Sequence, residues 1–336
     1  MNYEQIWKEW SDSTQFSGVF SVGDKNNTVF EKCVGLRNKS ENLPNNRDTA
    51  FGIASGTKLF TGLAVCKLID EGKLSIHARI CDILPYSLGQ IDKNVTVFHL
   101  LTHTSGVGDY IDEDSENCEE QLQALYDKYP VQLWTRLEYY LQMITPLPPK
   151  FKPSERYGYS NSGFILLGLV IEAVSGISYQ QYVYEVIISP CKLKHTGFYR
   201  ADSLPANVAL GYMEDGDGWN TNIFSLPILG GSDGGLYTCA DDLDKLWRAV
   251  FKGTIFSENM LAEFIKKQSE ISEIESYGFG VYRHEVEDKI FYYAVGGDAG
   301  VDFFTAYSPE QQIVFSALGN TSVNTYPLME KVFAVL

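Results

Sequence analysis

The chain has 336 residues, of which 44% are hydrophobic and 21% charged, a composition typical of a folded protein with a substantial core. Its net charge is −16, which argues against nucleic acid or an anionic membrane as partners because such binding needs basic patches. No apolar run reaches the roughly 18 residues of a membrane span, so we expect no spanning segment.

The amino-terminal segment MNYEQIWKEWSDS predicts an amphipathic helix with one apolar face, formed by Tyr3, Ile6, Trp7 and Trp10. It lacks a basic start followed by an apolar stretch, so we expect no signal peptide and a cytoplasmic protein. The six cysteines form no C-x-x-C pair, and in that compartment we expect reduced thiols.

Further along the chain, residues 16–36 predict a β-hairpin that turns around Asp24–Asn27, and a short strand follows at 50–54. A helix is predicted from about residue 55 to residue 72. The chain is then mostly helical to about residue 200, with a proline-rich break at 146–153 and a long apolar helix at 160–175. The last third predicts four strands and a closing helix: YGFGVYRHE, KIFYYAVGG, VDFFTAYSP, QQIVFSALGN and PLMEKVFAVL.

Strands at both ends of the chain and helices between them predict an α/β (α+β) fold with one sheet built from the amino- and carboxy-terminal segments. We divide this single domain into a sheet lobe, residues 1–75 plus 235–336, and a mainly helical lobe, residues 76–234. We expect the functional site where the two lobes meet.

The segment FGIASGTKLFTG places Ser55 three residues before Lys58 at the start of the predicted helix. Residues three apart share a helix face, so the hydroxyl and the amine can touch. The helix dipole and the apolar neighbours favour a neutral lysine that could accept the serine proton. The alternative is a helix start followed by an exposed lysine, and the same spacing recurs at Ser189–Lys192.

A second candidate segment, ERYGYSNSGF, contains the only Y-x-N of the chain, at Tyr159 and Asn161. Tyr159 could shuttle a proton between Ser55 and a leaving group, and Asn161 could bind a substrate carbonyl or Lys58. The alternative is a helix start that is capped by Ser160 or Asn161, with Tyr159 packed against it.

Together these segments resemble the serine β-lactamase and penicillin-binding-protein-like family, nearest its class C-like and esterase branch. The resemblance extends from about Phe51 to Asn320 and includes VTVFHLLTHTSGV, GSDGGLYTCADDLDKL and IVFSALGN. It implies the β-lactamase/transpeptidase-like fold. It also implies that Ser55 is the acylated nucleophile, that Lys58 is the general base, and that Tyr159 relays the proton with Asn161 nearby.

The family's third motif differs in AVGGDAG, where Val295 stands in place of a lysine or histidine. Gly296 and Gly297 follow, and the lack of side chains there lets a substrate approach the backbone. The resemblance implies an oxyanion hole made of the backbone N–H groups of Ser55 and Asp298. Without the family's cation, we expect the cleft to bind carboxylates poorly.

Three further patterns predict structure rather than chemistry. GGSDG at 230–234 matches G-x-S-x-G, but the glycines after its serine predict a turn beside the cleft. His99 and His103 lack the other ligands of a zinc site, so we expect structural roles. The acidic segment 108–120 lacks the order of a calcium loop and predicts a solvated loop that could overhang the cleft. Nearby aromatic residues could select substrates or only pack in the core: Tyr110, Trp134, Tyr139 and Tyr140.

The sequence therefore predicts a serine hydrolase, without metal or cofactor, for small-molecule ester, amide or lactam substrates. One alternative is a β-lactamase or D-Ala-D-Ala carboxypeptidase. Val295 and the lack of a signal peptide argue against it, because these enzymes act on carboxylate substrates and usually outside the membrane. A second alternative is a lapsed homologue that binds an acyl or peptide ligand without turnover. No pattern in the sequence indicates an oligomeric state.

Overall fold

The computed structural model describes residues 2–287 and 289–335, so the first residue of the predicted amino-terminal helix and the last of the closing helix lie outside it. The described residues form fourteen strands: β1 Gly18–Gly23, β2 Thr28–Val34, β3 Leu36–Asn38, β4 Leu43–Pro44, β5 Phe51–Gly52, β6 Tyr212–Asp215, β7 Gly218–Thr221, β8 Tyr237–Thr238, β9 Ser269–Glu270, β10 Glu275–Tyr277, β11 Tyr282–Val286, β12 Lys289–Asp298, β13 Val301–Ser308 and β14 Ile313–Gly319. They also form eleven α-helices: α1 Tyr3–Ser11, α2 Thr57–Asp70, α3 Ile80–Ile83, α4 Val97–Leu101, α5 Cys118–Lys128, α6 Glu138–Ile144, α7 Asn161–Ser175, α8 Tyr179–Val183, α9 Ala240–Phe251, α10 Glu258–Phe264 and α11 Tyr326–Val335.

An eight-stranded antiparallel sheet, in the order β2-β1-β14-β13-β12-β11-β10-β9, forms the centre of the molecule. The hairpin β1–β2 pairs with β14, so that Gly18 lies opposite Gly319 and Gly23 lies opposite Val314. The predicted sheet made from both ends of the chain is therefore confirmed. The division into lobes at residues 75 and 234 stays a prediction.

Both faces of this sheet are apolar, and helices cover both. Along β12 and β13, successive side chains alternate between the faces, as a strand's period of two requires. Tyr292 and Phe303 belong to the larger core, which contains α2 and α7, whereas Phe291 and Phe304 belong to a second core with α1 and α11. The predicted face of α1 lies in this second core, where Trp7 and Trp10 are buried.

The helices at the predicted site begin close to the expected residues. The helix predicted from residue 55 begins as α2 at Thr57, because Ala54–Gly56 forms a 3₁₀ turn. The helix predicted at 160–175 is α7, with Ser160 as its N-cap and Gly176 as its left-handed C-cap. No single helix in the described part of the chain has the length and apolarity of a membrane span; α7 passes such a test only together with Tyr179–Ile188, at a bend of 77°.

One predicted strand, YGFGVYRHE, is wrong as a continuous element, because β10 ends at Tyr277 and β11 begins at Tyr282. The turn between them has Gly280 at φ +87°, a conformation that favours glycine. A Cβ on Gly280 would lie 2.9 Å from the backbone oxygen of Lys58. The glycines therefore break the strand and let the turn pack directly against α2.

Candidate active site

Ser55 lies in the 3₁₀ turn Ala54–Gly56, between β5 and the start of α2, and is half-buried. This turn is packed against the sheet, because a Cβ on Gly56 would lie only 2.3 Å from the Phe303 ring. Ala54 takes a left-handed backbone conformation, φ +44°, which marks a tightly constrained turn. The turn thus fixes the serine hydroxyl at the amino end of a buried helix.

Lys58 is 3% exposed, and its Nζ has three oxygen neighbours. Nζ donates to Ser55 Oγ at 2.8 Å, to Asn161 Oδ1 at 2.7 Å and to the backbone oxygen of Asp233 at 2.8 Å. Burial lowers the pKa of Lys58, against the opposing pull of nearby carboxylates. In the neutral form the two carbonyl oxygens accept the two N–H groups, and the lone pair faces the Ser55 hydroxyl. This arrangement suits a general base.

Tyr159 contacts the same hydroxyl, because its OH donates to Ser55 Oγ at 2.8 Å. Burial raises the pKa of Tyr159 well above its ordinary value, so the phenol stays protonated and can act as a proton donor. The ring of His103 lies 4.7 Å from the Tyr159 ring, and His103 Nδ1 accepts the backbone N–H of Ser160. Burial lowers the pKa of His103 well below its ordinary value. His103 is therefore a neutral imidazole where it packs against the Tyr159 ring.

The start of α7 holds Asn161 in place. Ser160 Oγ accepts the Gly163 N–H at 3.0 Å, and the carboxylate of Asp109 accepts the N–H groups of Asn161 and Ser162 at 2.7 and 2.9 Å. Burial raises the pKa of Asp109 to about 7. The capping interpretation of this segment is therefore correct for Ser160. It does not compete with a chemical role, because the cap is what positions Asn161 beside Lys58.

The third motif lies at the end of β12. A Cβ on Gly296 would lie 2.2 Å from the backbone oxygen of Ile53 and 2.8 Å from the Ser55 nitrogen, so this strand is in direct contact with the Ser55 turn. An oxyanion hole formed by the backbone N–H groups of Ser55 and Asp298 requires this contact between β12 and the Ser55 turn. A Cβ on Gly297 would meet no atom within 4 Å, so substrate can approach the backbone there. Val295 is half-buried.

Two cavities meet at Ser55. The first, of about 390 Å³, has a mainly apolar and aromatic wall that includes Leu122, Tyr126, Trp134, Tyr199, Leu226 and Pro227. The second, of about 350 Å³, is lined by Tyr159, Tyr282, Val295, Phe303, Thr325 and Tyr326, among others. Asn161 lines only the first cavity and Tyr159 only the second, whereas Ser55, Glu113 and Gly297 line both.

The acidic segment 108–120 reaches the cleft, as expected. Asn161 Nδ2 donates to Glu113 Oε1 at 2.8 Å, which ties the segment to the site. The hydroxyl of Tyr110 donates to the carboxylate of Asp233. Of the four aromatic residues considered for substrate selection, Tyr110 and Trp134 line the first cavity, but Tyr139 and Tyr140 do not. The Tyr140 ring packs 5.2 Å from the Trp134 ring as part of the core.

Ser232, His99 and Ser189 line neither cavity, although Gly230, Asp233 and Gly234 of the GGSDG turn line the first. Ser232 of GGSDG is fully buried, and its hydroxyl has no hydrogen-bond partner in the described part of the chain. His99 takes part in the capping box of α4, and its Nε2 lies 2.8 Å from Ser154 Oγ. Ser189 is exposed and lines neither cavity. Within residues 2–287 and 289–335, no three His, Cys, Asp or Glu side chains are grouped as metal ligands.

Sequence reasoning missed three contributors to the site. The turn at 230–234 was expected beside the cleft, but not the hydrogen bond from Lys58 to the backbone oxygen of Asp233. Asp109 had no signal beyond its position after the glycine turn. Glu113 could not be separated by pattern from the other acids of its segment.

The sequence model of the Beta-lactamase family matches residues 4–331. The solved structure of a penicillin binding protein from Bacillus halodurans has 36% sequence identity to the chain, a TM-score of 0.91 and coverage of 99% of both chains. A penicillin-binding protein of Bacillus subtilis (strain 168) is 26% identical over 293 residues, and a teichoic acid D-alanine hydrolase of Staphylococcus aureus is 26% identical over 332 residues. These matches cover 82% and 96% of the chain, but only 62% of the first relative and 75% of the second.

Proposed function

Because the chain belongs to the Beta-lactamase family, we propose that it is a serine hydrolase that cleaves ester or amide substrates through an acyl-enzyme on Ser55. One observation carries this proposal: Ser55 Oγ is the common partner of Lys58 Nζ and the Tyr159 hydroxyl, each at 2.8 Å. A nucleophile in contact with both a buried amine and a protonated phenol has a base and an acid within reach.

Each step of the reaction can be assigned to these groups. Neutral Lys58 takes the Ser55 proton as Oγ forms a bond to the substrate carbonyl carbon, and the amides of Ser55 and Asp298 stabilise the resulting oxyanion. The bond to the leaving group then breaks, and the leaving oxygen or nitrogen receives a proton from Tyr159, which Lys58 replaces. Water attacks the acyl-enzyme in the same way, which releases the acid and restores Ser55.

The side of the cleft occupied by Val295 favours substrates without a carboxylate. In the described part of the chain, no lysine, arginine or histidine lines either cavity. Arg156 and Arg283 do not replace the missing cation, because Arg156 packs on the Phe151 ring at 4.2 Å and Arg283 pairs with Glu285. A carboxylate that entered the second cavity would lose its hydration without gaining a charged partner.

Penicillin binding is the second candidate function, and the names of two similar proteins favour it. A penicillin would acylate Ser55 by the same steps, but its carboxylate would meet the uncharged Val295. The teichoic acid D-alanine hydrolase relative supports the first candidate, since its name describes the release of an acyl group from a larger molecule. We therefore rank ester or amide hydrolysis above penicillin hydrolysis.

Labelling with a fluorophosphonate, followed by intact mass measurement, tests the proposal. The wild-type protein should gain one label, and Ser55→Ala should gain none while it keeps the same melting temperature. Ser189→Ala, at the second S-x-x-K, should be labelled like the wild type. A wild-type protein that stays unlabelled would support the lapsed homologue instead.

A further inference from the structure

A third cavity lies outside the cleft, between helix α11 and the strands β10, β11 and β12. Its volume is about 450 Å³, which exceeds that of either cavity at Ser55 and lies in the range of small-molecule sites. Among the described residues, none that lines it takes part in the proposed hydrolysis, and only Tyr326 is shared with the second cavity. The reaction at Ser55 therefore does not explain this space.

The walls of the third cavity are largely apolar. Phe291, Met329 and Phe333 line it and belong to the smaller core, the one that contains α1 and α11. Ile274 and Val286 also line it, and both are exposed although they are large hydrophobic residues. Exposed apolar side chains gathered around a cavity are typical of a binding site, because a ligand with an apolar body would remove them from water.

Glu275 places a carboxylate in this apolar space. Its Oε1 accepts the Tyr293 hydroxyl at 2.8 Å and the Tyr326 hydroxyl at 3.5 Å, and His284 Nδ1 lies 3.6 Å from the same oxygen. No residue in the described part of the chain donates to Oε2. The neighbouring His284 and Tyr293 hold the pKa of Glu275 below its ordinary value, so the carboxylate is ionised near neutral pH. One oxygen of a charged group is thus left for a ligand.

The other charged groups at the third cavity favour a cation. Glu287 and Glu330 line it together with Glu275, against one lysine, Lys289, among the described residues. The His284 ring adds a positive charge only when it is protonated. An ammonium group would therefore be attracted, whereas a carboxylate would enter a negatively charged cavity. An ammonium also forms a stronger hydrogen bond to a carboxylate than a neutral donor does.

We propose that the third cavity is a second ligand site, which binds small organic cations with an apolar body. The ammonium pairs with Oε2 of Glu275, and the body packs on Phe291 and Phe333 between β12 and α11. This inference goes beyond the proposed function and does not depend on it, because Ser55, Lys58 and their partners line other cavities.

Three compounds with one aromatic body test the charge preference: 4-phenylbutylamine, 4-phenylbutan-1-ol and 4-phenylbutanoate. At pH 8 an alkylamine is protonated and an ordinary imidazole is neutral. In isothermal titration calorimetry the amine should bind with a dissociation constant of about 1 mM or lower, a range that so small a ligand can reach. It should bind about tenfold or more tightly than the alcohol, which donates only a neutral hydrogen bond. The carboxylate should bind most weakly.

Variants test whether the compounds bind in the third cavity. Glu275→Gln keeps an acceptor for Tyr293 but removes the charge, so the amine and the alcohol should then bind with about equal affinity. Glu273→Gln removes the same charge from an exposed neighbour that does not line the cavity, and the preference should stay that of the wild type. Ala334→Phe fills the cavity from an exposed position of α11 and should abolish binding of both compounds. Val335→Phe, beside it but outside the cavity, should not.

Binding of the amine in the acidic cleft is the competing result. Glu113→Gln, at a residue that lines both cavities at Ser55, should leave the preference for the amine unchanged. If this variant removes the preference and Glu275→Gln does not, the amine binds in the cleft and the proposal is wrong. Equal binding of amine and alcohol by the wild type, tightest binding of 4-phenylbutanoate, or no binding of any of the three compounds would each overturn it as well.

Discussion

At the scale of single residues, burial pushes Lys58 and Tyr159 toward opposite roles. Removal from water penalises the charged form of each group, so the pKa of the amine falls and that of the phenol rises. Burial therefore favours the lysine as the base and the tyrosine as the acid. Both contact the same Ser55 oxygen, so the proton that leaves the serine can reach the leaving group over two short hydrogen bonds.

Lys58→Ala and Tyr159→Phe should each slow acylation by roughly 10²–10⁴-fold, the range for a positioned base or acid. The double variant should lose less than the product of the two single losses, because both residues act on one proton. Pre-steady-state release of p-nitrophenol from an aryl ester measures the acylation rate. A loss of acylation rate in the double variant equal to the product of the two single losses would contradict a shared proton relay.

Val295 should determine how the cleft responds to carboxylates. Val295→Lys should increase acylation by a cephalosporin relative to that by a neutral aryl ester, by roughly tenfold for each ~1.4 kcal/mol of attraction gained. Added salt should reduce the gain, because the new pair is partly exposed. Val295→Met supplies a long neutral side chain as the control and should leave the ratio low. Equal turnover of both substrates by the wild type would show that another group already binds the carboxylate.

At the scale of elements, the site depends on the close approach of one strand to one turn. β12 comes so near the Ser55 turn at Gly296 that no side chain fits between them, whereas Gly297 faces open space. The contact fixes the distance between the nucleophile and the backbone at the strand's end. The geometry of the site is therefore fixed by contact between backbone segments rather than between side chains.

Gly296→Ala should cost at least about 2 kcal/mol of unfolding free energy, because its Cβ would overlap the backbone at Ile53 and Ser55. Gly297→Ala should cost less than about 1 kcal/mol, since nothing lies within 4 Å of its Cβ. Urea denaturation of the two variants measures the difference. Equal costs would mean that the strand can move away from the turn without loss.

At the scale of the whole molecule, the sheet separates two hydrophobic cores with different roles. The larger core contains α2 and α7, which carry Lys58 and Asn161, whereas the smaller one packs α1 and α11 on the other face. Trp7 in the smaller core is 7% exposed and stacks on Phe20 at 5.8 Å. Tyr326 of α11 lines the second cavity, but α1 has no residue at either cavity, so stability at α1 and chemistry in the cleft should change independently.

Trp7→Ala should lower the unfolding free energy by about 3–5 kcal/mol, the usual cost of removing a large buried aromatic side chain. At 25 °C the folded variant should keep the wild-type kcat and KM, because α1 has no residue at either cavity. Trp219→Ala, at a tryptophan that is 39% exposed, is the control and should cost much less. A change in kcat of the folded Trp7 variant would contradict the separation of the two cores.

Local patterns predicted much of this architecture. The strand periods and the apolar helix at 160–175 identified the sheet and the helix. The S-x-x-K and Y-x-N segments identified the residues that meet at Ser55 only together with the resemblance to the β-lactamase-like family. Long-range contacts could not be predicted in this way: nothing near Asp233 indicates that its backbone oxygen accepts from Lys58. The glycines of YGFGVYRHE are a local indication that the predicted strand is interrupted. The cause of the interruption, however, is the packing of Gly280 against α2. The cytoplasmic location stays a prediction.

The pairing of β1 with β14 affects how the protein folds during its synthesis on the ribosome. Gly18 is synthesised about 300 residues before its partner Gly319, so one edge of the β1–β2 hairpin stays unpaired while the chain between them is made. Contacts between such distant segments fold slowly, and open strand edges pair with foreign strands. Chains stopped before β14 should therefore aggregate rather than accumulate as a folded sheet.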